Sequence, residues 1–129
     1  MNLKQLLFLH AAAGKQEENL LDYADLVNQN YGGDASVNNV RPKSRIAVTP
    51  GADMVMDCDL KVNEFNIRFY SESGTYQSSY TISKTGNSTK HVEFTVPDDS
   101  FFILPKWNKT GEGLSVAELI ENNPVIKYA

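Results

Sequence analysis

The residue types best suited to binding chemistry in this sequence are four aromatic side chains, Trp107, Tyr70, Tyr76 and Tyr80. Trp107 follows a predicted strand, in a predicted loop over residues 107–113 that also contains Gly and Lys residues, and the three tyrosines flank the turn of a predicted hairpin. Aromatic faces stack on the apolar C–H faces of sugars, while neighbouring Asn, Lys and Glu side chains bind the hydroxyl groups. These residues are therefore candidates for a glycan-binding surface. For Trp107 itself we favour the other interpretation, that it covers the end of the hydrophobic core.

The acidic pair Asp57 and Asp59 lies at alternate positions of a predicted strand, so both carboxylates face outward. Carboxylates are the ligands that hard cations such as Ca²⁺ prefer. The segment lacks the glycine and the distal glutamate of an EF-hand loop, and we therefore favour a solvated strand face over a metal site. We predict neither a bound metal ion nor a cofactor.

The candidates for catalytic side chains do not form a recognisable set. Cys58 is the single cysteine, which excludes a disulfide within the chain, and its phase with Met54 and Met56 favours a buried thiol over a nucleophile. His91 opens a predicted strand far along the chain from His10, and we interpret it as a half-exposed strand residue. The sequence contains no Gly-rich phosphate loop, no Gly-x-Ser-x-Gly elbow and no His-Glu-x-x-His motif. We therefore predict that the protein is not an enzyme.

Alternation of apolar and polar residues predicts the strands that must position these side chains. In residues 65–70 the apolar residues fall on one face, because successive strand side chains point to opposite sides. Turn-forming residues separate runs of this kind, a spacing that predicts a mainly β protein with antiparallel sheets in a jelly-roll-like β-sandwich. The predicted strands are residues 45–49, 54–62, 65–70, 76–83, 91–96 and 101–105, and the predicted core residues are Phe65, Ile67, Phe69, Val92, Phe94, Val96 and Ile103.

The C-terminal part of the sequence predicts a short helix and a closing strand. Ser115 is suited to the N-cap of a helix over residues 115–121, and Glu118 stands where a capping box requires an acidic side chain. Residues 125–128 then read as a strand. Residues 19–30 have apolar side chains at helical spacing, which leaves helix and coil as the two interpretations of that segment.

The first residues predict a second short helix, so the chain divides into a helical segment at residues 1–14 and one domain at residues 15–129. Leu3, Leu6 and Leu7 share one stripe, and Gly14 is suited to the C-cap. The alternative interpretation is a signal peptide, since Lys4 precedes an apolar run.

The same N-terminal segment predicts self-association. Leu6, Leu7, Phe8 and Leu9 cover nearly the whole circumference of a helix, more than one intramolecular contact buries. An isolated helix of this length is marginal in water. We therefore predict a homo-oligomer, with a trimer favoured, held partly by Leu3, Leu6, Leu7 and Phe8. The alternatives are docking of the segment on its own domain or on another protein.

Charge and composition exclude two classes of partner. The formal net charge is −4 and the Lys and Arg residues are scattered, whereas nucleic-acid-binding proteins concentrate positive charge. An apolar run long enough to span a membrane is also missing from the sequence. We predict neither nucleic-acid binding nor membrane insertion.

The motifs of the central strands carry a resemblance to a known family. The stretches IRFYSESGTYQSS and FTVPDDSFFILPKWN resemble a β-sandwich module common in tail proteins of bacteriophages and prophages. The segments ENLLDYADLVNQNYG and IAVTPG are similar to the opening of such modules, and LKQLLFLHAAAG is similar to the first residues of some prophage tail proteins. For residues 19–30, the resemblance implies an irregular segment along the sheet edge.

The resemblance implies a structural part of a virion, such as a tail fibre, baseplate or head fibre, assembled in the bacterial cytoplasm. It implies contacts with other virion proteins, three-fold symmetry, and binding of host cell-surface glycan. One alternative is a free-standing carbohydrate-binding module on a bacterial surface or in a secreted protein. A glycan hydrolase is the alternative that we favour least.

Overall fold

The computed structural model describes residues 18–83 and 88–129 of the chain. These residues form a mainly β structure with two antiparallel sheets, one turn of 3₁₀ helix at Tyr23–Asp25 and one short α-helix. The strands are β1 Leu26–Val27, β2 Asn39–Pro42, β3 Ile46–Ala47, β4 Asp53–Asp57, β5 Glu64–Tyr70, β6 Tyr76–Ser83, β7 His91–Thr95, β8 Phe102–Asn108 and β9 Val125–Tyr128, and the helix α1 is Val116–Glu121.

The larger sheet has six strands in the order β1-β2-β8-β5-β6, with β3 also paired to β8. Its central register aligns the apolar residues of two strands, pairing Phe65 with Trp107, Ile67 with Pro105 and Phe69 with Ile103. These pairs share one face of the sheet, which we call the core face. The opposite face, the outer face, carries the polar residues of β5.

The smaller sheet has three strands in the order β7-β4-β9. Met56 of β4 lies opposite Val92 on one side and Ile126 on the other, and all three side chains are buried. The Phe94 ring of this sheet approaches the Phe69 ring of the larger sheet, with 6.3 Å between centroids. Buried residues of both sheets therefore belong to one hydrophobic cluster.

Alternation predicted the core correctly. The residues confirmed as buried are Phe65, Ile67, Phe69, Val92, Phe94, Val96 and Ile103. Cys58 is also buried, as the phase of its segment predicts, and burial raises the pKa of its thiol. A buried, protonated thiol is a poor nucleophile.

The strand predicted at residues 54–62 ends earlier, at Asp57. Beyond that point the Asp59 N–H donates to the Asn122 carbonyl instead of a sheet neighbour. Val62 binds the buried Thr89 hydroxyl, which accepts from its N–H at 3.2 Å and donates to its carbonyl at 3.0 Å. The segment is therefore held by specific loop contacts that apolar alternation does not reveal.

Residues 19–30 form neither a helix nor a simple coil. The Asn19 side chain accepts from the N–H groups of Leu21 and Ile126 and donates to the Pro124 carbonyl. The Leu20 N–H donates to the Ile126 carbonyl at 2.7 Å. These bonds hold residues 19–21 beside β9, and the 3₁₀ turn and β1 follow, so tertiary contacts override the helical spacing of the apolar residues.

The helix near the C-terminus begins as predicted, since the Ser115 hydroxyl accepts from the Glu118 N–H at 3.0 Å. The capping box is only half formed. The Glu118 carboxylate turns outward and binds the Lys109 ammonium group at 2.7 Å. The closing strand at residues 125–128 is confirmed.

The predicted N-terminal helix at residues 1–14, with Leu3, Leu6, Leu7 and Phe8, lies outside the described residues. Within the residues that the structure describes, no helix has the length and apolar character needed to cross a membrane.

Candidate functional site

Trp107 is a core residue and not a surface ligand-binding residue. It lies within β8, is 0% exposed, and packs on Phe65 with 5.1 Å between ring centroids. The prediction that Trp107 lies in a loop is wrong, and its alternative role in the core is correct. A fully buried ring offers no face to a sugar, so Trp107 does not belong to a glycan-binding surface in this fold.

The misplacement of Trp107 originates in Pro105, which suggests the end of a strand because proline cannot donate to a sheet ladder. In the structure β8 continues through it to Asn108. On the side away from β5, β8 pairs with β3 and β2 only near its two ends. Pro105 lies between those pairings. At that position none of the described strands would accept a hydrogen bond from a backbone N–H on this side, so proline is tolerated.

The three tyrosines of the predicted glycan-binding surface lie in different environments and on both faces of the larger sheet. Tyr70 is buried, and its ring meets the half-exposed Tyr76 ring edge-on at 6.1 Å between centroids. Tyr80 lies opposite Ile67, on the core face of the larger sheet, and is 40% exposed. The structure therefore brings Tyr70 and Tyr76 together and leaves Tyr80 apart from them.

A register shift at Phe69/Tyr70 explains why Tyr76 and Tyr80 differ in environment. Tyr76 and Tyr80 are four residues apart on β6, and strict alternation would place both on the same face. The shift pairs Tyr76 with Tyr70 and brings its ring to the outer face. Irregularities of this kind re-aim side chains in sheets.

The outer face carries a group of tyrosines and cations that we call the tyrosine–cation face, made up of Tyr31, Arg45, Arg68, Tyr70, Tyr76 and Lys106. The Arg68 guanidinium carbon lies 4.0 Å from the Tyr31 ring centroid and 5.2 Å from that of Tyr76. The Lys106 ammonium nitrogen lies 4.4 Å from the Tyr31 centroid. These distances are typical of cation–π contacts.

Arg45 extends this face at the hairpin turn. Its guanidinium carbon lies 3.8 Å from the Tyr70 ring centroid, and its Nη1 donates to the Gly74 carbonyl at 2.8 Å. Gly74 has φ of 89°, a conformation that favours glycine. A stacked arginine therefore holds the turn between β5 and β6 against the sheet.

Tyr31 comes from the loop between β1 and β2 and is fixed on the face at both ends. Its hydroxyl lies within hydrogen-bonding distance of the Asn66 side-chain oxygen and of the Leu104 carbonyl, the latter at 3.0 Å. Burial raises the pKa of Tyr31 well above its usual value, and the charge of Arg68 opposes that rise. The hydroxyl therefore remains protonated and donates a hydrogen bond to the sheet.

Buried Arg41 holds the loop that carries Tyr31. Its Nε donates to the Asn30 carbonyl at 2.8 Å and its Nη2 donates to the Gln29 side chain at 2.9 Å. The Asn30 side chain in turn accepts from the Gly32 N–H at 3.0 Å. This chain of bonds explains why a polar loop has one defined place on the sheet.

The cations over Tyr31 have no ion-pair partner among the residues that the structure describes. In that part of the chain, neither the Arg68 guanidinium nor the Lys106 ammonium group forms a hydrogen bond or an ion pair. Burial lowers the pKa of Lys106; Glu64 opposes that shift, and Arg68 and Arg41 add to it. The face therefore presents positively charged donors between aromatic rings.

The smaller sheet carries a second cluster of titratable groups, on its exposed side. His91 contacts the Asp57 carboxylate through Nδ1 and the Glu93 carboxylate through Nε2, the latter at 3.0 Å. Asp59 is not part of this cluster, since its carboxylate accepts from the Asn123 side chain. In the described part of the chain, no group of three or more His, Cys, Asp and Glu side chains has the arrangement of a metal site.

We predict a pH titration for His91 that reports this cluster. Hydrogen bonds that the His91 ring donates to the carboxylates, to Asp57 first and then to Glu93, raise the pKa of His91 above its usual value of 6.5. The associated stabilisation is present below the unfolded pKa and is lost as pH rises through the higher folded pKa. It is small, because the His91 side chain is 54% exposed.

NMR titration of the imidazole checks this prediction. Asp57→Asn should lower the pKa of His91, whereas Asp53→Asn, on the same strand but bonded to Thr95, should leave it unchanged. An unchanged pKa in Asp57→Asn would contradict the arrangement.

An open cavity of about 580 Å³ lies where the loop between β1 and β2 meets the start of α1. It is lined by Asn28, Val37, Leu114 and Glu118, among others, and Val37 is 78% exposed. The Asn28 amide spans one wall and donates to the carbonyls of Asn39 and Leu114. Among the described residues, no cation lines this cavity, which distinguishes it chemically from the tyrosine–cation face.

Comparison with models of protein families, with curated proteins and with solved structures gave no match to this chain.

Sequence reasoning missed Tyr31, Arg68 and Lys106 as members of one surface. Arg68 was visible as an outward position of an alternating strand. Lys106 was hidden by Pro105, and Tyr31 lies far from both along the chain. The position of Tyr31 depends on loop hydrogen bonds that no local pattern encodes.

Proposed function

We propose that this protein is a non-catalytic structural module of a phage or prophage virion and that its tyrosine–cation face binds glycan on the host cell surface. The observation that carries the proposal is the grouping of Tyr31, Arg68, Tyr76 and Lys106 on one sheet face. A half-exposed ring such as that of Tyr76, beside hydrogen-bond donors, is an arrangement that sugar recognition uses. The virion assignment rests on the resemblance of the central strands to phage tail modules.

At the finer level of fold, we propose a jelly-roll-like β-sandwich in which the two sheets stack core face to core face. The shared hydrophobic cluster and the approach of Phe69 to Phe94 support that arrangement. Such a scaffold leaves the outer face of the larger sheet open for contact with a ligand.

We further propose a homotrimer, held partly by residues 3–13 and suited to a three-fold tail fibre, baseplate or head fibre. At tens of micromolar, light scattering of the 129-residue chain should give the mass of a trimer. A shortened chain beginning at Lys15 should give a monomer, because the apolar segment is missing. A monomeric 129-residue chain would contradict the trimer.

Labelling of particles tests the virion assignment. An antibody against this chain, coupled to gold, should label tails or head fibres of particles induced from the bacterium that carries the gene. Absence from purified particles, with the protein found on the cell surface or in the medium, would favour a free-standing carbohydrate-binding module. The same sheet face would serve that alternative function.

A glycan hydrolase is the remaining alternative, and the cluster of Asp57, His91 and Glu93 is the place to test it. We expect no turnover on a panel of chromogenic glycosides and esters. Turnover that disappears in Asp57→Asn or Glu93→Gln would overturn the non-catalytic assignment, since paired carboxylates are the usual machinery of glycoside hydrolysis.

A further inference from the structure

The tyrosine–cation face concentrates positive charge on a protein whose formal net charge is −4. Arg68 and Lys106 both contact the Tyr31 ring, so two cations share one small area. Glu64 is the carboxylate whose charge acts on Lys106, yet no ion pair joins the two within 4.0 Å. Two like charges over one ring, with no carboxylate in ion-pairing contact among the described residues, favour the binding of an anion there.

The position of the Arg68 guanidinium over the Tyr31 and Tyr76 rings favours hydrogen bonding to an anion. An arginine that packs its flat face on aromatic rings keeps the N–H groups at its edge available for paired hydrogen bonds. The rings of Tyr31 and Tyr76 also restrict the side chain, which reduces the entropy lost on binding. The geometry therefore favours a planar or tetrahedral oxyanion.

We propose that the tyrosine–cation face binds an anionic group of the glycan, a carboxylate or a phosphate. In this arrangement Arg68 donates paired hydrogen bonds, Lys106 supplies a second charge, and the half-exposed Tyr76 ring stacks on the adjoining sugar. The inference rests on the proposed glycan-binding function and defines the substrate class for it.

The donors on this face distinguish an anion from a neutral sugar. Hydroxyl groups both donate and accept, so neutral sugar sites combine donors with acceptors. Arginine and lysine are donors only. The nearby Asn66 amide is already engaged, with its oxygen beside the Tyr31 hydroxyl and its nitrogen donating to Thr81. The two cations over Tyr31 therefore match an oxyanion better than a hydroxyl.

Single-stranded nucleic acid is also anionic and stacks on aromatic rings, but it fits this protein less well. Proteins that bind it follow the backbone with a long positively charged groove. Here two cations, Arg68 and Lys106, lie over the Tyr31 ring, and the chain as a whole is acidic. A single charged group on a sugar fits a site with two cations better than a long polyanion does.

Calorimetric titration of the intact protein with four probes tests the inference. The probes are oligogalacturonate for a carboxylate, oligo(glycerol phosphate) for a phosphate, a dextran oligomer for a neutral glycan, and a single-stranded oligodeoxynucleotide. We expect binding to one of the first two, weakened by added salt, and weaker or undetectable binding to dextran.

Matched variants locate the site. Arg68→Gln and Lys106→Gln should each weaken binding by roughly tenfold or more, the usual effect of removing a hydrogen bond to a charged group. Arg68→Lys should also weaken it, because lysine cannot make paired hydrogen bonds. Lys90→Gln removes the same charge just before β7 of the other sheet and should change affinity by less than about twofold. Thermal melts establish that each variant is folded, and Lys106→Gln carries the test if an Arg68 variant does not fold.

The remaining outcomes separate this inference from the proposed function. Equal affinity for dextran and the acidic probes would overturn the anionic site and leave glycan binding in place. Binding to the oligodeoxynucleotide alone would overturn both. An equal loss in Lys90→Gln, or no binding to any probe, would overturn the anionic site, and particle labelling would still decide the virion assignment.

Discussion

Trp107→Ala is expected to lower the free energy of unfolding by about 3–5 kcal/mol, the usual cost of removing a large aromatic side chain from a core. Trp107 is 0% exposed and packs on Phe65 in the middle of the larger sheet. The cavity left behind would lie between two strands that pair along their whole length, where collapse is limited. Urea denaturation of the variant and the parent protein measures the difference.

Tyr76→Ala is the matched control, since that ring is 50% exposed. We expect it to cost about 0.5 kcal/mol, as most surface substitutions do, and to weaken glycan binding. The reverse result would contradict the placement of both side chains. A Trp107→Ala protein of normal stability that fails to bind glycan would return Trp107 to the ligand surface.

Phe94→Ala is expected to cost about 3–5 kcal/mol, for a second and independent reason. Phe94 joins the two sheets, because its ring lies 6.3 Å from that of Phe69 in the larger sheet. Its loss removes contacts on both sides of the core at once. Phe94→Leu, which retains most of the volume, should cost less than about 1.5 kcal/mol.

The neighbouring residue provides the control for Phe94. Thr95 is exposed and lies on the opposite face of β7, where its hydroxyl donates to Asp53. Thr95→Ala should therefore cost much less than Phe94→Ala. If Thr95→Ala cost more stability than Phe94→Ala, the assignment of buried and exposed residues in β7 would be wrong by one residue.

Sequence patterns were sufficient to predict the features that depend on residues close together in the chain. Phe65, Ile67 and Phe69 alternate with polar residues, so the face of β5 that is buried follows from the chain itself. The N-cap at Ser115 is likewise local, because the partner N–H lies three residues away. In both cases the physical cause operates within a few residues.

The binding surface was harder to predict because its members are fixed by distant contacts. Tyr31 is placed by its bonds to Asn66 and Leu104, and the side on which Tyr76 lies depends on a register shift. Trp107 was assigned to a loop because a proline such as Pro105 is compatible with two structures. It can end a strand, or it can lie within a strand where the neighbouring strand makes no hydrogen bond. Pairing between strands decides between these structures, and a single strand does not contain that information.

The cavity beside α1 is a concave surface on which a ligand has room, and it provides a comparison for the tyrosine–cation face. Its lining includes the carboxylate-bearing Glu112 and Glu118, of which Glu118 is paired with Lys109. The tyrosine–cation face is therefore better suited than this cavity to an anionic glycan.

NMR spectra of the 15N-labelled protein, recorded while oligogalacturonate or oligo(glycerol phosphate) is added, test the central claim most directly. The account predicts that shifts concentrate at Tyr31, Arg68, Tyr76 and Lys106 and saturate with added glycan. Shifts that concentrate instead around Asn28 and Leu114, or spectra that do not change, would contradict it.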